Sequence, residues 1–242
     1  MKDFTEDAFL GGRVRVRQPA RGFRSGLDAV MLAAAVSARA GDQVLELGSG
    51  AGVASLSVAT RVPECNVIGV EIDSELASLA NANAKANEIA SRVHFVESDA
   101  FDLPRALRKG FDHVLCNPPF HGDEGQRSPD ARRARALHDR KHLAHWLAAG
   151  FKRTASGGTF TAILRADRLN EALAALPATG VILFPLWPKR GEAAKRILLQ
   201  VRKDSRAPLN LLAGLTLHKP NGKYTTEADA ILREGAPLRL SD

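Results

Sequence analysis

Apolar residues along this chain alternate between short unbroken runs and stretches with helical spacing. QVLELGSG, residues 43–50, is an apolar run stopped by glycines, which predicts a buried strand opening into a turn. GVASLSVATRV, residues 52–62, follows with the composition of a helix. NVIGVEID, residues 66–73, is a second apolar run that ends in acids, and SELASLANANAKANEI, residues 74–89, is rich in helix formers. RVHFVESDA, a short helical DLPRALRK, and FDHVLCNPPF extend the series to residue 120. Strands alternating with helices predict a mostly parallel sheet with helices on both faces and right-handed crossovers.

Residues 121–135 are polar and basic and read as a loop leading into a helix that runs through about Gly150. GGTFTAILR is the next strand and DRLNEALAALP the next helix. VILFPLWP and AKRILLQVR, joined by KRGE, predict a hairpin that gives the sheet an antiparallel edge. The expected fold is therefore α/β and Rossmann-like, with seven strands. The tail LTLHKPNGKYTTEADAILREG carries a PNG turn and then a short helical segment.

At the other end, Arg13, Arg15 and Arg17 alternate with Val14 and Val16, which predicts a short strand with one charged face. LDAVMLAAAVSAR, residues 27–39, is helical, and Asp28 near its start reads as the cap. There is no internal repeat and no convincing linker. One domain is expected over residues 1–242, with a basic N-terminal extension at 1–26 and a catalytic-type core at 27–242.

Composition narrows the class. Of 242 residues, 45% are hydrophobic and 25% charged, an ordinary globular balance that excludes wholesale disorder. Lys plus Arg is 34 against 27 Asp plus Glu, and the net charge of +7 favours a polyanionic partner. Cys65 and Cys116 lie far apart without a CxxC pair, so both read as small core residues in a reducing compartment. No apolar stretch is long enough to span a membrane and no signal pattern opens the chain, so a cytoplasmic location is expected. His138, His142 and His145 have helical spacing, but neither HExxH nor a nearby Cys accompanies them. No metal site is expected, and these imidazoles read as surface or phosphate-contacting groups.

The glycine turn points to a nucleoside. Gly48, Gly50 and Gly52 follow the first core strand, where glycines let backbone approach a ligand and take positive φ. A dinucleotide fingerprint needs GxGxxG, but here the third glycine comes early and Val53 stands in its place. That departure weighs against a nicotinamide or flavin. About twenty residues on, Glu71 ends the second core strand, where a carboxylate reaches a ribose hydroxyl pair. Asp73 starts the next helix and reads as its cap.

Asn117-Pro118-Pro119-Phe120 ends the fourth core strand. Its prolines fix φ and remove two backbone donors, leaving carbonyls free to face a ligand. The Asn117 amide adds an acceptor and Phe120 a flat face. Two acceptors that hold both hydrogens of a planar amine fix the attack line of its nitrogen.

The turn, Glu71 and the NPPF tetrad together resemble the class I S-adenosylmethionine-dependent methyltransferases that act on amino groups. By that resemblance, Glu46, Gly48, Ser49, Gly50, Glu71, Ile72, Asp99, Ala100 and Asn117 bind S-adenosylmethionine. Ser98, Asp99 and Ala100 lie at the adenine, and Glu46 lies near the methionine amine. Asn117, Pro118, Pro119 and Phe120 position the target, S-adenosylhomocysteine is the product, and no metal takes part.

GFRSGLDAVMLAAAV, ELGSGAG, NPPF and KYTTEADAIL further resemble the bacterial tRNA(Val) adenine-N6-methyltransferase group over roughly residues 9–235. That group more often has Tyr after the prolines, whereas this chain has Phe120 and His121. The resemblance implies adenine N6 in tRNA as target. An rRNA guanine-N2-methyltransferase, a protein glutamine N5-methyltransferase and a catalytically silent cofactor-binding RNA partner are the alternatives. Basic clusters at Arg13–Arg24, Arg127–Lys141 and Lys189–Arg196 are the expected RNA footprint, and no membrane partner is expected.

Overall fold

The computed structural model describes residues 4–22, 24–119 and 143–240. The seven expected strands all form: β3 (Gln43–Leu47), β4 (Asn66–Glu71), β5 (Val93–Glu97), β6 (Phe111–Cys116), β7 (Thr154–Arg165), β8 (Val181–Lys189) and β9 (Arg196–Arg202). Two more, β10 (Asn210–Leu211) and β11 (Leu215–His218), add parallel pairs to β8 and bring the sheet to nine strands among the described residues. They are too short to leave a periodic pattern, and it is pairing with β8 that makes them strands. The order is β10-β8-β9-β7-β6-β3-β4-β5, with β11 also on β8. β9 runs antiparallel to both β7 and β8, as the hairpin reading requires.

From β3 the chain steps outward to β4 and β5, then returns to β6 on the other side of β3. The strand order thus reverses between β3 and β6, where open α/β sheets bind ligands at the carboxyl ends of their strands.

Helices cover both faces. α1 (Leu27–Ala35), α2 (Val53–Arg61) and α3 (Ser74–Ala86) build one apolar cluster. α4 (Leu143–Arg153), α5 (Leu169–Ala174) and the loop after β5 build the other. The helical reading of DLPRALRK reduces to a single 3₁₀ turn at Arg105–Leu107, with Pro104 just before it. The tail helix is α6 (Thr226–Asp229), which continues as a π turn, Ala230–Glu234. None of the described helices is long and apolar enough to cross a membrane.

The arginine-valine stretch is β2 (Val14–Pro19), and its partner is β1 (Phe4–Phe9) in an antiparallel ribbon. Val14 and Val16 are fully buried while Arg13, Arg15 and Arg17 are exposed. Among the described residues, the outer edge of β2 meets no further strand. Instead, Asn83 and Asn87, one helical turn apart on α3, act as a surrogate strand. The Asn87 amide accepts from the Arg15 N–H at 2.9 Å and donates to the Arg15 carbonyl at 2.7 Å. Asn83 makes the same pair with Arg17, both at 3.0 Å, and also donates to the Ala51 carbonyl in the glycine turn. The ribbon is therefore tied to α3 and, through Asn83, to the turn.

A second buried tie joins β3 to α2. The Glu46 carboxyl accepts from the Ser55 N–H at 2.9 Å and from the Ser55 hydroxyl at 2.5 Å. Burial pushes its pKa from an ordinary 4.5 up to about 8, against the two Ser55 donors and with a small push from Glu71.

Two stability measurements test these ties. Asn83→Ala strands buried backbone groups and should cost about 2–4 kcal/mol in urea denaturation, while Asn87→Ala, nearer solvent, should cost about 1 kcal/mol. Equal losses would contradict the surrogate-strand account. The raised Glu46 pKa means the folded state holds a proton that the unfolded state has released. That stabilisation is complete below about pH 4.5 and disappears as pH rises through about 8. Glu46→Gln has no such proton, so its stability relative to wild type should improve steadily between those pH values; a constant difference would refute the buried acid.

Candidate functional site

Four strand ends meet at the point of reversal. Parallel register sets Leu47 opposite Val70 on one side and Cys116 on the other, and Glu71 opposite Glu97. The residues that follow these strands, Gly48, Ile72, Ser98 and Asn117, therefore share one edge of the sheet.

The turn after β3 folds back on β4. Both the Gly48 and Ser49 N–H groups donate to the Val70 carbonyl, at 2.8 and 3.0 Å. Gly48 sits at φ 72°, and a Cβ there would come within 2.9 Å of the Trp146 ring on α4. Glycine is needed for both reasons. At Gly50 a Cβ would meet nothing within 4 Å, so this part of the turn faces open space.

Glu71 holds the turn in place. One carboxylate oxygen accepts from the Gly50 N–H at 2.9 Å, and the other accepts from Ile72 at 2.9 Å and Asp73 at 3.0 Å. A carboxylate has about four acceptor positions, so at least one remains for a ligand. Asp73 caps α3, accepting from the Glu75 and Leu76 N–H groups, as expected for the first position before a helix.

After β5, the Asp99 carboxylate is exposed and accepts from the Phe101 N–H at 2.8 Å. Ala100 is buried beside it. Ile72 and Phe101 are 38% and 40% exposed, unusual for such large apolar side chains. In sequence they stand next to Glu71 and two residues after Asp99, and they offer exposed apolar surface at the ends of β4 and β5. Phe101 meets the Trp146 ring edge-on, with centroids 5.2 Å apart. Neither aromatic was singled out from sequence. The signal for Phe101 was an aromatic two residues beyond a strand-end acid. Trp146 is buried, and it also forms the wall behind Gly48.

At the end of β6, Pro118 is buried and Pro119 exposed. Among the described residues, the Asn117 amide oxygen is buried without a hydrogen-bond partner, as is the Ser49 hydroxyl across the edge. An unpaired buried acceptor costs about 1–3 kcal/mol, so its retention calls for a donor that arrives with a ligand. Phe120 lies outside the described residues, as do His138, His142 and the cluster from Arg127 to Lys141. Cys116, just before the tetrad, is no nucleophile: burial, helped by Glu46, pushes its thiol pKa far up.

Asp28 does not cap α1. The N-cap position is Gly26 without a side-chain bond, and Asp28 instead accepts from the Arg196 guanidinium at 2.8 Å. This ion pair links α1 to the start of β9, 168 residues away. Of the basic clusters, Arg13, Arg15, Arg17, Arg21 and Arg24 are exposed along the ribbon and the chain after it. Arg24 is held by Asp7 at 2.6 Å, and Arg15 approaches Glu6 at 3.7 Å. Lys189, Arg190 and Lys195 are exposed at the β8–β9 turn.

Known proteins resemble this chain in sequence and fold. Residues 26–143 match the model of the methyltransferase small domain family. The tRNA1(Val) (adenine(37)-N6)-methyltransferase of Shewanella putrefaciens is 30% identical over 207 residues, 82% of this chain and 85% of that protein. The protein of the same name from Shewanella baltica is 28% identical over 220 residues, 88% of this chain and 92% of the relative. Among solved structures, a predicted O-methyltransferase from Agrobacterium tumefaciens superposes with a TM-score of 0.72 and 25% identity, covering 88% of this chain and 97% of that one. With the glycine turn, the strand-end acids and the Asn-Pro-Pro segment in the positions described, the chain belongs to the class I S-adenosylmethionine-dependent methyltransferases, as an N-methyltransferase of the tRNA1(Val) adenine-N6 family.

Proposed function

We propose that this enzyme methylates the N6 amine of an adenine in tRNA. The observation that carries the reading is the buried, unpartnered amide oxygen of Asn117, one residue beyond the register that sets Cys116 against Leu47. The relatives named for this activity match most of the chain, which supports tRNA and adenine over the other amino targets.

The residues present fit S-adenosylmethionine. Gly48, Ser49 and Gly50 offer a close backbone approach, with the Gly50 side open. Glu71, already oriented by three N–H groups, accepts from the ribose hydroxyls. Ile72 and Phe101 give apolar faces for the adenine ring, with Asp99 and Ala100 at its edge. Glu46 is spoken for by Ser55, and it serves the methionine end by fixing the start of α2 beneath the turn. The cofactor supplies an electrophilic methyl on a sulfonium.

The protein's own task is to place the amine. The Asn117 oxygen accepts one amine hydrogen and a backbone carbonyl freed by the prolines accepts the other, so the nitrogen lone pair is held on the line of attack. Phe120 stacks on the flat target. No strong base is needed before transfer, because the nitrogen loses its extra proton readily after it becomes cationic. A cytoplasmic location follows from a tRNA substrate.

Labelled methyl transfer to total tRNA, rRNA and protein, followed by nucleoside mass spectrometry, tests the reading. N6-methyladenosine in tRNA is the expected product. N2-methylguanosine in rRNA, methylglutamine in protein, or no transfer would each overturn it in favour of the corresponding alternative. Asn117→Ala should lower kcat about 10²–10³-fold while calorimetric cofactor affinity stays unchanged. Glu71→Ala should instead weaken cofactor binding about 10–100-fold, the loss of a charged acceptor.

A further inference from the structure

The edge that carries the site continues past β6 toward β11, and its character changes. On the cofactor side stand the acids Glu71, Glu97 and Asp99. On the other side, β7, β9, β8 and β11 end or begin in Arg165, Lys195, Arg196, Lys189, Arg190, His218 and Lys219.

Register also shows that this half rises above the site. Cys116 pairs with Ala162, and Arg165 lies three residues further on, about 10 Å at strand rise. Arg165 is level with Arg196, which is level with Leu186, and Lys189 lies three residues beyond that, about another 10 Å. His218 is level with Lys189 on the parallel neighbour β11. Arg165 is paired with Asp167 and Arg196 with Asp28, so the positive charge above the Asn117 edge rests on the exposed Lys189, Arg190, Lys195 and Lys219.

At the crest of this half is a built feature. The chain turns through Pro220-Asn221-Gly222, with the Gly222 N–H donating to the Lys219 carbonyl at 2.9 Å and the Lys219 N–H to the Lys223 carbonyl at 2.8 Å. Lys219 and Lys223 therefore face each other across a tight turn, both exposed. One step below, His218 and Tyr224 bridge and their rings stack, with centroids 4.9 Å apart and planes 27° apart. His218 is fixed further by its Nδ1 at 3.2 Å from the Pro188 carbonyl. Both rings are half-exposed, and Lys189 and Arg190 flank them from β8.

Like charges placed opposite each other in paired strands destabilise them, and a polyanion relieves that repulsion. Prestacked rings ringed by cations are the combination that binds single-stranded nucleic acid: phosphates meet the cations, and a base lies on an aromatic face at no cost in side-chain ordering.

We propose that the His218–Tyr224 pair, with Lys189, Arg190, Lys219 and Lys223, is a docking platform for an unpaired stretch of the RNA substrate beyond the base to be methylated. This rests on the reading of RNA as substrate and adds where the RNA is held. The platform lies about four strand spacings, roughly 20 Å, from β6. It serves a folded RNA and has no use for a lone base or a short peptide.

The test is fluorescence anisotropy with an unmodified tRNA(Val) transcript across a salt series, with calorimetric cofactor binding on each protein. The exposed double variant Lys219→Glu/Lys223→Glu should raise the Kd for tRNA at least tenfold and lower the salt slope by about 2, with cofactor affinity unchanged. Tyr224→Phe should bind as wild type and His218→Ala about tenfold more weakly. If the double variant and His218→Ala both bind tRNA with wild-type affinity and slope, the platform is refuted, while the methylation reading stands on its own labelling result. If wild type binds no tRNA and labels only protein, both fall together.

Discussion

The pairing of β3 with β6 fixes everything that happens at the edge. Leu47 stands opposite Cys116, so the glycine turn and the Asn-Pro-Pro segment leave the sheet side by side. A slip of one residue would turn every side chain of β6 to the opposite face. Val44, Leu45 and Leu47 on one strand and Val114, Leu115 and Cys116 on the other are all fully buried, so a slip would put side chains of different shape into close-packed positions on both faces. The hydrophobic effect thus sets a chemical distance: burial of these side chains on both faces determines where an amide oxygen lies relative to a backbone turn.

The turn itself is held by polar contacts. The Val70 carbonyl receives two N–H groups from Gly48 and Ser49, the Glu71 carboxylate a third from Gly50, and Asn83 reaches the Ala51 carbonyl from below. Asn83 also grips β2, so the ribbon with its exposed arginines and the turn share one buried amide. The half of the sheet on the far side is anchored in the same manner, by the Asp28–Arg196 pair between α1 and β9. Both halves of the edge are thereby braced against the first helices.

Strands with five or more residues in an apolar run were readable in the sequence, because a strand buried on both faces has to be apolar throughout. The strand ends were readable for the same reason, and with them the positions of Gly48, Glu71, Asp99 and Asn117. Other features depend on partners remote in sequence. β1 exists because β2 pairs with it, and β10 and β11 exist because β8 offers an edge. Asp28 reads as a cap in the sequence, yet it lies inside the first turn of α1 and its carboxylate goes to an arginine that no local pattern connects with it. Phe101 and Trp146 contact each other from different elements, so neither segment alone identifies their pairing.

Burial favours the neutral forms of Glu46 and Cys116, just before the ends of β3 and β6, and this bears on the chemistry proposed for the site. Glu46 lies opposite Leu115, and its carboxyl holds its proton because burial outweighs the two Ser55 donors. The Cys116 thiol is kept protonated by burial and by Glu46. The acceptor above them, Asn117, is neutral as well. A carboxylate in its place would attract the positive charge that develops on the nitrogen during transfer, but it would itself have to be desolvated in a buried position. In the proposed reading an amide accepts the hydrogen bond that orients the amine without burying a charge. The same reading leaves charge recognition to the basic groups farther along the sheet.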